Sequence, residues 1–358
     1  MQLIKEIEIK RTSFKTENYS MSIGELVNLY TSKEIIIRPE YQRLFRWSHG
    51  QKVKLVESVL LGIPIPSIFV YQDSDGIWEL VDGLQRVSTL LQLFGVLENE
   101  SPLILEGTKY LPSLEGFCWS NEEHSKELPQ NLKLAIKRSK ITVTIILSES
   151  DKRAKFEVFQ RLNTGGSNAS NQEIRNNIMI MISPERYDWF NSLAINTDFL
   201  ETLSLSDRLY NEQYHMELLL RFIALNHYPY NRKKDVGDYL DDINEDLLNS
   251  DTFNFESVKA NFEATFKLLN RILGEKSFKK FNGDDFKGKF LESAFEAVSI
   301  GIASNIDMYD LPDEDALILK KVEKIYTTKI YNSTSGSGSN AKGRIPKLVP
   351  FAKKHFKK

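Results

Sequence analysis

The stretch Glu79-Leu80-Val81-Asp82-Gly83-Leu84-Gln85-Arg86-Val87-Ser88-Thr89-Leu90 constrains the fold more than any other. An apolar run meets an acid and a glycine. Val87, Leu90, Leu91 and Phe94 then recur at i, i+3, i+4 and i+7, the spacing of one helical face. Gly83 suits a sharp turn because it reaches backbone angles closed to other residues. Gly95 is a natural helix stop. The stretch therefore reads as strand, tight turn, helix. Such a turn aims free backbone N–H groups and the positive end of a helix at whatever lies above it. Arg86 adds a forked cation suited to phosphate. An ordinary β–α turn, with Asp82 as helix cap and Arg86 paired to it, fits the same residues.

At 358 residues the chain has room for about two domains. The formal net charge of -2 excludes a global basic field, so any nucleic-acid surface must be local. The single cysteine, Cys118, rules out an intramolecular disulfide and fits a reducing, cytoplasmic setting. It sits between Phe117 and Trp119, which suggests a buried thiol rather than a nucleophile. No signal-peptide core opens the chain, and no apolar run approaches the ~18 residues a membrane span needs.

Upstream of the motif, residues 21–31 read as a short helix and Ile35-Ile36-Ile37 as a strand. The loop Arg38-Pro39-Glu40-Tyr41-Gln42-Arg43 follows, either a polar-ligand surface or a solvated loop. Lys52–Leu61 reads as a helix ended by Gly62, and Pro64 and Pro66 lead into a strand at Ile68–Tyr71. Asp73-Ser74-Asp75-Gly76 is a hairpin signal, so the strand Trp78–Val81 delivers the chain to Gly83. Residues 101–130 read as loops with short strands, and 141–147 as the cleanest strand. A helix from about Asp151 breaks at Asn163-Thr164-Gly165-Gly166-Ser167-Asn168-Ala169. Ser170-Asn171-Gln172-Glu173 then forms a capping box. This loop is a second anion candidate or a plain helix–loop–helix connector.

Beyond about Pro184 strand signals vanish and long helical patterns take over. Asn332–Gly343 is Ser/Gly/Asn-rich and reads as a linker or long loop. Lys342–Lys358 holds seven Lys/Arg and no acid, with Phe351 and Phe356 interleaved. Lys342, Arg344, Lys347, Lys353 and Lys354 are its candidates for gripping a phosphate backbone. A solvated helix docked by its phenylalanines is the competing reading.

Four stretches together carry a resemblance. Pro39-Glu40-Tyr41-Gln42-Arg43, Glu57-Ser58 with Gly62-Ile63-Pro64-Ile65-Pro66, Asp82-Gly83-Leu84-Gln85-Arg86, and Phe159-Gln160-Arg161-Leu162-Asn163-Thr164-Gly165-Gly166 form one ordered set. Their order and spacing resemble domain-of-unknown-function family 262, the N-terminal domain type of the GmrSD and SspE phage-defence proteins, over roughly residues 20–185. The Ser/Gly run before a basic helix also looks like stand-alone members of that group.

The resemblance implies an α+β chain: a ParB/sulfiredoxin-like N-terminal domain with a small mixed sheet, then an all-α C-terminal domain. The expected division is 1–185, a helical domain at 186–331, and a linker with a basic helix at 332–358. Carried over by position, Asp82, Arg86 and Arg43 would be catalytic. Gln42, Gly83, Gln85, Thr89, Asn163, Thr164 and Gly165 would bind nucleotide, and Asp82 would hold Mg²⁺. The implied function is a nucleotide-binding, NTP-hydrolysing module of a prokaryotic anti-phage, restriction-type system that acts on or senses foreign DNA. Its implied partners are a nucleoside triphosphate and DNA, met directly or through a partner nuclease, with no membrane and with homo-oligomerisation left open. Two other readings stand beside it: a non-catalytic DNA-binding or partner-regulating module, and a metal-dependent nuclease using Asp82 and Glu57. The sequence departs from the family pentapeptide Asp-Gly-Gln-Gln-Arg at Leu84, which can neither orient water nor contact phosphate. The five histidines, at 49, 124, 215, 227 and 355, show no paired nuclease or zinc spacing.

Overall fold

The computed structural model describes residues 2–12, 15–37, 47–120, 126–147, 170–336 and 340–358. The chain divides into two compact units, 1–168 and 169–358. The first is α+β and the second is largely helical.

Strands of the first unit run β1 (Thr16–Ser22), β2 (Ile35–Ile36), β3 (Ile68–Gln72), β4 (Trp78–Asp82), β5 (Phe117–Cys118), β6 (Lys126–Glu127) and β7 (Lys140–Ile146). Five of them form a mixed sheet in the order β1-β7-β3-β4-β2. β1 and β7 are antiparallel, β7 and β3 parallel, β3 and β4 antiparallel, and β4 and β2 parallel. The β3–β4 hairpin closes where expected: Asp73 Oδ1 accepts the N–H groups of Asp75 and Ile77, and Gly76 takes φ +83°. Helices Ile23–Thr31, His49–Leu60, Leu84–Leu93 and Gln130–Arg138 accompany the sheet. Their buried faces carry Leu26, Val56, Val87, Leu90, Leu91 and Ile136, which pack the core with Ile68, Val70 and Val143 from the strands. Gln130–Arg138 and the edge strand β1 escaped the sequence reading. β1 is almost wholly exposed, so it shows no apolar alternation.

In the second unit the helices at Tyr214–His227, Phe255–Leu273, Glu292–Ala303 and Asp315–Ile325 lie within the helical pattern read beyond Pro184. A short hairpin, Lys280–Phe281 with Phe286–Lys287, interrupts the helical pattern. The Asn171–Ile182 helix opens on the expected capping box, with Ser170 and Glu173 satisfying each other's backbone N–H.

The Asn332–Gly343 stretch is shorter as a loop than expected. Helix Lys329–Thr334 extends into it, and Asn340 already caps helix Ala341–His355 by accepting the Gly343 N–H. That last helix is part of the core. Gly301 has no side chain, and a Cβ there would meet the fully buried Phe356 ring at 2.3 Å. The Tyr309 hydroxyl donates to the Phe356 carbonyl, and Asn305 donates to that of Lys353.

A chain of alternating charges runs through this unit. Asp241 pairs with Arg175 at 2.7 Å, and Arg175 reaches Glu217 at 3.4 Å. Glu217 pairs with Arg221 at 2.8 Å, and Arg221 meets Glu292 at 2.9 Å and Glu296 at 3.2 Å. Arg344 closes the chain on Glu292 and Glu296, with Nε 2.7 Å from Glu296. Glu296 is wholly buried, and Arg175, Arg221 and Arg344 are each under 10% exposed. Breaking a buried pair by deleting one partner costs roughly 3–5 kcal/mol, since the other charge is left unpaired. Arg344→Ala should cost about that much in urea denaturation of the full chain. Arg344→Met together with Glu296→Leu should cost far less.

The same network carries a pH dependence. Burial opposes the Glu292 charge, but Arg221, the Tyr214 hydroxyl and Arg344 together hold its carboxyl down at about 2. A depressed carboxyl stabilises the fold fully above its unfolded value and loses that contribution as pH falls through the folded one. Stability should therefore drop between about pH 4.5 and pH 2, and Glu292→Gln should flatten that part of the urea profile.

Candidate functional site

The motif sits where β4 hands the chain to helix Leu84–Leu93. Phe69 pairs with Asp82 and Val70 with Leu80, so Val81 is an extra residue on β4. This bulge lets Leu80 and Val81 both be buried and then turns Asp82 toward solvent. Gly83 follows at φ +99°, ψ 14°, the left-handed region. A Cβ at Gly83 would lie 2.5 Å from Ile68 Cγ2, so the turn is closed to other residues on two counts.

Gly83 is the helix N-cap and supplies no side-chain cap. The first intrahelical bond here runs from the Val87 N–H to the Gly83 carbonyl. The N–H groups of Leu84, Gln85 and Arg86 precede it, in the stretch where helices lack internal acceptors. Beside them, Arg86 Nη2 donates to Asp82 Oδ2 at 2.9 Å and to the Ser67 carbonyl at 3.1 Å. Arg86 Nε is buried with no hydrogen-bond partner among the described residues. Asp82 and Arg86 are both part-exposed, at 26% and 18%. The expected cap by Asp82 does not form, because its carboxylate turns to Arg86 instead.

Other expected site residues divide clearly. The Gln85 side-chain carbonyl accepts the Trp47 backbone N–H at 3.0 Å, so it ties the helix start to the segment entering helix His49–Leu60. Thr89 is fully buried and its hydroxyl donates to the Gln85 carbonyl at 2.7 Å, so it presents nothing to a ligand. Its position three residues past Arg86 puts it on the inner helix face, where a short hydroxyl returns to its own backbone. Leu84 is the first helical residue and is half-buried. Arg43, Gln42, Asn163, Thr164 and Gly165 lie outside the described residues. Glu57 is buried and accepts a hydrogen bond from the Thr108 hydroxyl. Among the described residues no group of three or more His, Cys, Asp or Glu could hold a metal ion.

Of the five C-terminal cations, Arg344 is a correction: its guanidinium is buried and spent on Glu292 and Glu296. Lys342, Lys347 and Lys354 are exposed, and Lys353 is half-buried with its ammonium on the Leu225 carbonyl at 3.0 Å. Sequence could not separate Arg344 from the lysines, since only its partners 48 and 52 residues away identify it. Cys118 is buried, as expected, with its thiol against the Ser120 carbonyl. No helix among the described residues is long and apolar enough to cross a membrane.

The small mixed sheet of this α+β unit thus runs into an arginine-flanked helix start with no side-chain cap. Residues 23–180 match the family model of the GmrSD restriction endonuclease, N-terminal domain. The match covers under half of the 358 residues and includes both β4 and the Gly83 turn. No curated protein and no solved structure matches the chain.

The Gly83 geometry gives a direct test. Gly83→Ala should lose about 1–2 kcal/mol to the left-handed backbone alone, plus the clash with Ile68. Adding Ile68→Ala should not rescue it, since the backbone term stays and a core cavity is added. Urea denaturation of the single and double variants measures this.

Proposed function

We propose that this chain is a nucleotide-responsive module of a restriction-type defence system, with a nucleoside triphosphate bound at the Gly83 turn. The single observation that supports this most is the left-handed Gly83 opening an uncapped helix beside the Asp82–Arg86 pair. Phosphate oxygens would take the N–H groups of Leu84 and Arg86 and the guanidinium edge of Arg86. To do so they compete with Asp82 for Arg86, which frees the carboxylate as phosphate arrives.

A carboxylate freed in this way suits Mg²⁺, which commonly takes one or two carboxylates plus phosphate oxygens and water. Bound there, the ion would neutralise phosphate charge. Asp82 would be its protein ligand, while Arg86 holds the phosphoryl oxygens and Gln85 keeps the segment before His49 against the turn. Arg43, Gln42 and Asn163–Gly165 complete the pocket in this proposal through the resemblance. The ParB/sulfiredoxin-like likeness belongs to the same proposal.

Hydrolysis is the finer part of the reading, and Leu84 weighs on it. An apolar residue at the first helical position cannot orient a water, so binding should exceed turnover. Purified protein with Mg²⁺ and each NTP should show a thermal upshift worth ~2.7 kcal/mol at a ligand concentration of 100 Kd. Arg86→Ala should weaken binding roughly 10-fold or more, the worth of one charge-assisted contact. Leu84→Gln should raise phosphate release without tightening binding. No upshift with any NTP would sink the reading.

A further inference from the structure

We infer that the second unit carries a binding groove for single-stranded DNA, formed by the Tyr228–Lys233 segment and one stripe of the C-terminal helix. The groove encloses about 310 Å³ and is lined by Tyr228, Tyr230, Arg232, Pro346, Pro350 and Lys353, among others. It lies apart from the Gly83 turn in sequence and needs no nucleotide there.

The helix explains the groove. At 100° per residue, Lys342, Pro346, Val349, Pro350 and Lys353 share one stripe. Arg344 points the other way, into the buried charge chain. Two prolines on a helix face carry a cost, because neither returns an N–H to the carbonyl four residues back. The Lys342 and Pro346 carbonyls thus do not receive the usual bond from four residues on. Lysines bracket the prolines at both ends, ~16 Å apart along the axis. That span exceeds one mononucleotide and suits a short run of strand.

The facing wall supplies rings and more cations. Tyr239 fixes this wall, with its hydroxyl donating to the Ala224 carbonyl and its ring edge-on to Tyr230 at 4.9 Å. Tyr230 and Tyr228 are half-buried, each with one part of its surface left to solvent. Lys234 is neutralised by Asp242, while Arg232 and Lys233 are exposed and make no ion pair among the described residues. Lys342 donates to the Lys233 carbonyl at 3.2 Å, which joins the two walls. Asp235 and Glu296 act on Tyr230 and Asp246 on Tyr228; Asp235 is occupied as the cap of helix Val236–Asn249 and Glu296 by Arg221 and Arg344.

Cations beside exposed rings and prolines call for an anion with flat apolar faces. Bases stacking on aromatic side chains, with phosphates on the flanking cations, are the general mode of single-strand binding. A duplex hides its base faces and would use the cations without the recess.

The test is fluorescence anisotropy of a labelled 12-mer oligo(dT) with the full chain, without nucleotide, from 50 to 200 mM salt. Affinity should fall with salt, and Arg232→Glu and Lys342→Glu should each weaken it and flatten the slope by ~0.7 or more. Tyr230→Ala should weaken binding about 5- to 100-fold. Thermal unfolding should confirm that the two surface charge reversals leave the fold intact. An abasic 12-mer and a 12-base-pair duplex should compete poorly. Equal competition by either, no effect of both charge reversals, or no binding at 50 mM salt would overturn the groove. Asp82→Ala should leave all of this unchanged, so loss of nucleotide binding and loss of DNA binding are read separately.

Discussion

The carbon atom that Gly83 lacks sets the geometry of the first unit. With 2.5 Å between that missing position and Ile68, helix Leu84–Leu93 can begin directly on top of β3. The close approach is what leaves the helix start uncapped and puts Arg86 over the Ser67 carbonyl and the Asp82 carboxylate. Side-chain caps would satisfy the first N–H groups, and this turn has no side chain to offer. One glycine thus serves both the packing against Ile68 and the turn into the helix.

The second unit depends on electrostatics in place of a sheet. Its helices are joined by a path of carboxylates and guanidiniums from Asp241 to Arg344, most of it out of water. Each pair is costly to bury, and each is held by more than one partner. Burial pushes the wholly enclosed Glu296 up while Glu292, touched by two guanidiniums and a hydroxyl, is held low. The two neighbours thus respond oppositely to the same environment, because Glu292 keeps a part-exposed edge and Glu296 does not.

Much of this was legible in the sequence, and the rest failed for identifiable reasons. The β3–β4 hairpin, the Gly83 turn and the Ser170 capping box are local, set by residues within four positions of one another. So are the helical stripes of the second unit. Strand β1 was invisible because it is an exposed edge with polar residues on both faces. Thr89 was misread because a hydroxyl near an arginine looks like a ligand until the helix phase buries it. Arg344 was grouped with its lysine neighbours because charge alone does not reveal the carboxylates that meet it across the core. The resemblance was readable because four local motifs kept their order, although each alone was weak, and the family match spans residues 23–180.

The bulge at Val81 has a consequence for anyone who would move this motif. A strand alternates its faces, and one extra residue inverts the phase of everything after it. The pentapeptide from Asp82 to Arg86 takes its orientation from that inversion one residue earlier. Grafted onto a regular strand, the same five residues would present their acid to the interior and their glycine to open water. The transferable unit is therefore longer than the recognisable one. It begins at Leu80, it includes the opposing Ile68–Val70 backbone, and a sequence comparison that scores only the pentapeptide will overlook the part that sets its orientation.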